Sequence, residues 1–157
     1  MNPTILSRSR VPYLSLVEEP LRVLLAEEDP LMQRLMTFVL RRDRHEVVAK
    51  TNGSAVLEAL SSELLDERDR HFDVIISDEN LPGLPGLAIL ASLRAWRQET
   101  PFVLITDNWH VQRQALDLGA LILNHPLNLQ AIRNVLRACA QACSRMRPSP
   151  VGASRDR

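Results

Sequence analysis

Short apolar runs alternate with amphipathic segments along most of this chain. Residues 21–26 (LRVLLA), 46–51, 72–77 (FDVIIS), 102–106 (FVLIT) and 121–124 read as strands, several of them apolar at every central position. Between them the period changes. Residues 30–42 place apolar side chains at 31, 32, 35, 36, 39 and 40, the spacing of one helix face. Helices are also predicted over 54–68 with Ser54 as N-cap, over 86–98, over 111–118 ended by Gly119, and over 129–145 capped by Asn128. Five strands and five helices thus alternate strictly. Strands apolar on both faces belong in a parallel sheet covered by helices on both sides. Right-handed crossovers then leave few topologies, and the functional rim lies beyond the carboxyl ends of the strands.

Composition adds limits. At 157 residues one domain is expected. It would span 21–146, with an extension over 1–20 and a Pro-, Ser- and charge-rich disordered tail over 147–157. The formal net charge is zero, so no global field draws in nucleic acid or an anionic membrane. No helix-turn-helix unit follows residue 145, which argues against direct DNA binding. Cys139 and Cys143, four apart on one helix with no other soft ligand near in sequence, read as reduced thiols rather than a zinc site. No apolar run is long enough to span a bilayer and no secretory h-region follows the N-terminal arginines, so the cytoplasm is the expected compartment. Lys50 is the only lysine.

The residues just past each strand carry the candidate chemistry. They are Glu27-Glu28-Asp29, Asp78-Glu79-Asn80, Thr106-Asp107 and Asn124-His125-Pro126. Like charges about 4 Å apart repel by about 1 kcal/mol in water and by several times that at a partly buried site. A hard cation would relieve a meeting of Glu27, Glu28 and Asp78, and oxygen donors without sulfur suit Mg²⁺. Asp29, next to a helix start, reads better as a cap. Asp78, closing an apolar strand, is the candidate nucleophile toward phosphorus, forming an acyl phosphate. Thr106 offers a hydroxyl and His125 a titratable base on neighbouring strand ends.

The segments VLLAEEDPLM (23–32), DVIISDENLPGLPG (73–86), PFVLIT (101–106) and the stretch from Gly119 to His125-Pro126 resemble the receiver domain of two-component response regulators. The resemblance covers about residues 21–144. It implies a flavodoxin-like (βα)5 fold, a doubly wound five-stranded parallel sheet of order 2-1-3-4-5. By position it makes Asp78 the phosphoacceptor, Glu27 and Glu28 the acidic pair, Asn80 a backbone-carbonyl ligand of Mg²⁺ and Thr106 the switch hydroxyl. His125 stands where the family has lysine before a cis-proline, here Pro126. The chain departs from the pattern in three other ways. Glu28 replaces an aspartate, the loop before Pro126 is one residue short, and Leu121, Ile122 and Leu123 replace a strand-five aromatic. Implied partners are a histidine kinase or phosphotransfer protein. A downstream effector would bind the face of the fourth helix, fifth strand and fifth helix, with a homodimer there as a further possibility. Trp109 is a candidate contact on that face, against a partly buried packing role. The alternative is a pseudo-receiver, a phosphorylation-independent interaction module. A hydrolase is disfavoured because Asn80 stands where an acid/base aspartate is wanted.

Overall fold

The computed structural model describes residues 19–65 and 70–146. The expected tail and most of the expected N-terminal extension lie outside them. Ten elements alternate. They are β1 (Arg22–Ala26), α1 (Pro30–Arg42), β2 (Glu46–Lys50), α2 (Gly53–Leu65), β3 (Val74–Asp78), α3 (Gly86–Ala95), β4 (Phe102–Ile105), α4 (Trp109–Asp117), β5 (Leu121–Leu123) and α5 (Leu129–Met146). All strand pairs are parallel, in the order β2-β1-β3-β4-β5. The expected α/β architecture and strand order are both present.

Side-chain alternation along the strands builds two cores. Val23 and Leu25 of β1 turn toward Met36 and Leu40 of α1 and Ile132 and Leu136 of α5. Leu24 and Ala26 turn the other way, toward Val56 and Leu60 of α2, Ile89, Leu90 and Leu93 of α3, and Ala115 of α4. The central strand β3 is buried along its whole length, which is why its sequence lacks a polar face. Its last residue, Asp78, is therefore held by a rigid element.

Helix ends follow local chemistry. Asp29 accepts the Leu31 and Met32 N–H groups, the capping role expected of it. Asn128 likewise accepts from Gln130 and Ala131. Gly119, just past α4, has φ +78°, a left-handed conformation that suits glycine. The third helix ends at Ala95 rather than at 98, and two helix starts differ from expectation. The second helix starts at Gly53, and Asn52 rather than Ser54 caps it, taking the Ala55 N–H at 2.8 Å. The fourth starts at Trp109 because Asn108 accepts the His110 and Val111 N–H groups, so Trp109 and His110 are helical. Trp109 is 63% exposed and stacks on His110, which excludes the partly buried packing role. His45 is not a simple loop residue. It is buried, and its Nδ1 accepts the Leu21 N–H at 3.2 Å. Cys139 is buried with its thiol pKa pushed up to about 11 by that burial, and neither Cys139 nor Cys143 is in a disulfide.

Candidate functional site

The carboxyl ends of β1, β3, β4 and the β5–α5 connection meet on one rim. Asp78 closes β3 with its side chain nearly buried. Its Oδ1 accepts the Asn80 N–H at 2.8 Å, which folds the start of the β3–α3 loop around the carboxylate. Its Oδ2 faces His125 Nε2 at 3.9 Å. The β3–α3 loop is pinned again by Glu79, whose Oε2 accepts the Leu87 N–H at 2.7 Å and whose carbonyl accepts the Gly86 N–H. Burial raises the Glu79 pKa, against the Leu87 hydrogen bond, with Asp78 adding to the rise. Sequence reading gave Glu79 no role; a hydrogen bond spanning eight residues leaves no local pattern.

Glu27, just past β1, is buried and accepts the Asp29 N–H through Oε1 at 2.9 Å. Burial raises its pKa; the Asp29 N–H opposes this, and the Asp78 carboxylate reinforces it. Glu27 and Asp78 are thus electrostatic neighbours in a poorly hydrated pocket, as expected. Glu28 is exposed instead. Among the described residues no group of three or more His, Cys, Asp or Glu side chains is placed to hold a metal ion. The expected meeting of Glu27, Glu28 and Asp78 is therefore a meeting of two. β1 ends at Ala26 and the chain bends at Glu28, so Glu27 is buried while Glu28 is exposed.

Thr106 follows β4, whose Ile105 pairs with Asp78, so its position adjoins the carboxyl end of β3. It is buried; its N–H reaches Leu123 O at 3.0 Å and its Oγ1 accepts the Asn108 N–H at 3.2 Å. His125 precedes a cis peptide bond to Pro126. Its backbone N–H donates to Asp107 Oδ1 at 2.8 Å, and its ring Nδ1 lies 3.1 Å from Asp107 Oδ2. The His125 N–H is the main cause of a lowered Asp107 pKa. Asp107 is the second residue that sequence reading left unassigned. Its partner lies 18 positions away, and only the adjacency of β4 and β5 brings them together.

The two buried carboxylates, Glu27 and Asp78, are hard oxygen donors of the kind a divalent cation takes while it keeps several waters. The donor set fits Mg²⁺ in kind, with one carboxylate fewer than expected.

The five parallel strands in the order 2-1-3-4-5, covered by helices on both faces, make this a flavodoxin-like α/β fold with buried carboxylates at the ends of β1 and β3. The chain belongs to the response regulator receiver domain family, whose model matches residues 23–137. It is 31% identical over 123 residues to the transcriptional regulatory protein TcrA of Mycobacterium tuberculosis, covering 76% of this chain and 46% of TcrA. The chain spans less than half the length of the curated relatives it matches. Its fold matches the receiver domain of Francisella response regulator 1452, with a TM-score of 0.70 at 18% identity, covering 78% of this chain and 98% of that one. It also matches the receiver domain of the sensor histidine kinase PA1611 of Pseudomonas aeruginosa, at TM-score 0.62 and 26% identity, over 78% and 98% of the two chains. That structure has a magnesium ion coordinated in its active-site cleft. Receiver domains are signalling modules of two-component systems rather than classical enzymes. No helix among the described residues is long and apolar enough to cross a membrane.

Proposed function

We propose that this receiver accepts a phosphoryl group on Asp78 from a histidine kinase or phosphotransfer protein and relays the change to an effector in the cytoplasm. One observation carries the reading: the Asp78 carboxylate is buried at a strand end with Glu27 and His125 near it and Thr106 at the end of the neighbouring strand. Asp78 Oδ2 is the nucleophilic atom, because Oδ1 is engaged by the Asn80 N–H. A phosphoryl group bound there meets the Thr106 hydroxyl on one side and the His125 ring on the other. His125 stands where lysine supplies a positive charge elsewhere in the family, on a shorter and stiffer stem. Glu27, Asp78 and the Asn80 carbonyl would hold Mg²⁺, which neutralises charge on the phosphoryl oxygens.

Two exposed surfaces suit the partners. On α1, Leu31, Leu35 and Phe38 are exposed at helical spacing beside Arg34, Arg41 and Arg42, a surface fitted to an amphipathic acidic helix of the donor. On α4, β5 and α5, Trp109, Leu116, Leu121 and Leu129 are exposed, and this is the face for an effector or a second copy. Beryllofluoride with Mg²⁺, a non-covalent phosphoryl mimic, should shift the Asn80 and Thr106 amide resonances. Unchanged spectra at millimolar Mg²⁺ would remove the reading.

The exposed Glu28 favours a second reading, a pseudo-receiver that binds its partner without phosphorylation. Under it Asp78→Asn keeps partner binding and cellular activity; under the first reading both are lost.

A further inference from the structure

Asp107 reaches across from the β4–α4 loop to the β5–α5 loop and grips one residue at two points. Oδ1 takes the His125 backbone N–H at 2.8 Å, and Oδ2 lies 3.1 Å from the ring Nδ1. The Asn124 side chain also donates to it, and these bonds favour the carboxylate form. A carboxylate only accepts, so the Nδ1 it faces carries the hydrogen, and Nε2 is the nitrogen turned toward Asp78. The ring is a rigid plank with Asp107 at one edge and Asp78 Oδ2 at 3.9 Å from the other. That second gap is too long for a hydrogen bond, so the ring has room to close on a group attached to Asp78.

The other end of the plank matters as much. Asp107 sits between Thr106, whose Oγ1 holds the Asn108 N–H, and Asn108, the cap of α4. Movement of the ring therefore pulls on the three-residue segment that starts α4. No aromatic side chain on β5 is available for such a link, since the strand is Leu-Ile-Leu.

Resting on the assignment of Asp78 as acceptor, we propose that Asp107 is a positioning residue that couples the acceptor pocket to the N-terminus of α4 through the His125 ring. Occupation of Asp78 draws Nε2 inward, the ring carries Asp107 with it, and the first turn of α4 shifts beneath the exposed Trp109. Asp107→Asn isolates the ring contact. Its carbonyl oxygen still accepts the backbone N–H and keeps the two loops joined, but its amide donates toward Nδ1, which reverses that bond.

The test uses the full chain, ¹⁵N-labelled, titrated with beryllofluoride and Mg²⁺. The Asn80 amide reports occupancy, the Trp109 indole N–H reports α4, and the Trp96 indole, at the end of α3, is an internal control. In the unsubstituted protein Asn80 and Trp109 should shift together and Trp96 should stay. In Asp107→Asn the Asn80 shift should remain while most of the Trp109 shift is lost. Ring-nitrogen spectra should show Nδ1 carrying hydrogen in the unsubstituted protein and not in Asp107→Asn. A Trp109 shift of full size in Asp107→Asn overturns the coupling and reduces Asp107 to a loop staple. A missing Asn80 shift in the unsubstituted protein overturns the acceptor assignment itself.

Discussion

Gly86→Ala ties the fold to the site in one substitution. Gly86 opens α3 directly against β3, with its N–H on the Glu79 carbonyl. An added Cβ would lie 2.6 Å from the Asp78 carbonyl oxygen, 2.5 Å from Leu104 Cδ1 and 3.0 Å from Ser77 Oγ. The first of these is backbone in a fully buried strand, Leu104 is itself fully buried, and the Ser77 hydroxyl is committed to that same carbonyl. None can yield cheaply, so α3 must move outward by about 0.5 Å or more to relieve the overpacking. That stretches the Gly86–Glu79 and Leu87–Glu79 hydrogen bonds. Overpacking of this kind costs about 2 kcal/mol. With a urea m-value of about 2 kcal/mol/M, the unfolding midpoint should fall by about 1 M at unchanged m. The Asn80 amide resonance should move in the native spectrum because the Asp78 backbone shifts. Gly119→Ala is the control. A Cβ added there would meet nothing within 4 Å, so its cost comes only from the positive φ, about 1 kcal/mol, and Asn80 should not move. A loss below about 0.5 kcal/mol for Gly86→Ala with Asn80 unmoved would refute the close packing of α3 on β3.

Three further outcomes follow from named contacts. Asn52→Ala should cost about 1 kcal/mol by chemical denaturation and Ser54→Ala less than about 0.5, since Asn52 holds the α2 cap; the reverse order would place the cap at Ser54. Glu63 is buried, and that burial raises its pKa above 4.5 despite the Phe72 N–H and His71 beside it. Its stabilising contribution is full below the unfolded value and lost as pH rises through the folded one. Glu63→Gln should therefore flatten the fall in unfolding free energy from about pH 4.5 upward, and an unchanged slope would count against the assignment. In Mg²⁺ titrations followed by amide shifts, Glu27→Gln should weaken binding at least about tenfold, the expected scale for losing a ligand or its support, while Glu28→Gln leaves it nearly unchanged. Equal losses would restore Glu28 to the metal site.

Much of this was legible in the sequence because it is local. The apolar runs mark β1, β3 and β4, and the carboxylates stand immediately after them, so Asp78, Glu27 and Thr106 could be placed on one rim without coordinates. Asp29 was legible as a cap for the same reason. What escaped is set by geometry between distant segments or by competition between neighbours. Asn52 and Ser54 both suit a cap, and only the backbone path decides between them. His45 looks like a loop residue until β1 is laid beside it and Leu21 N–H meets its ring. Glu28 shares its composition with Glu27 but faces solvent. Asp107 gains a role only when β4 and β5 lie side by side.

The central claim is that the Asp78 carboxylate takes up a phosphoryl group in a pocket shared with Glu27, Thr106 and His125. Intact mass spectrometry of the full chain after incubation with acetyl phosphate and Mg²⁺ tests it most directly. The expected result is a gain of one phosphoryl group, absent without Mg²⁺ and absent in Asp78→Asn. An unchanged mass, or a phosphoryl group that persists in Asp78→Asn, would contradict it.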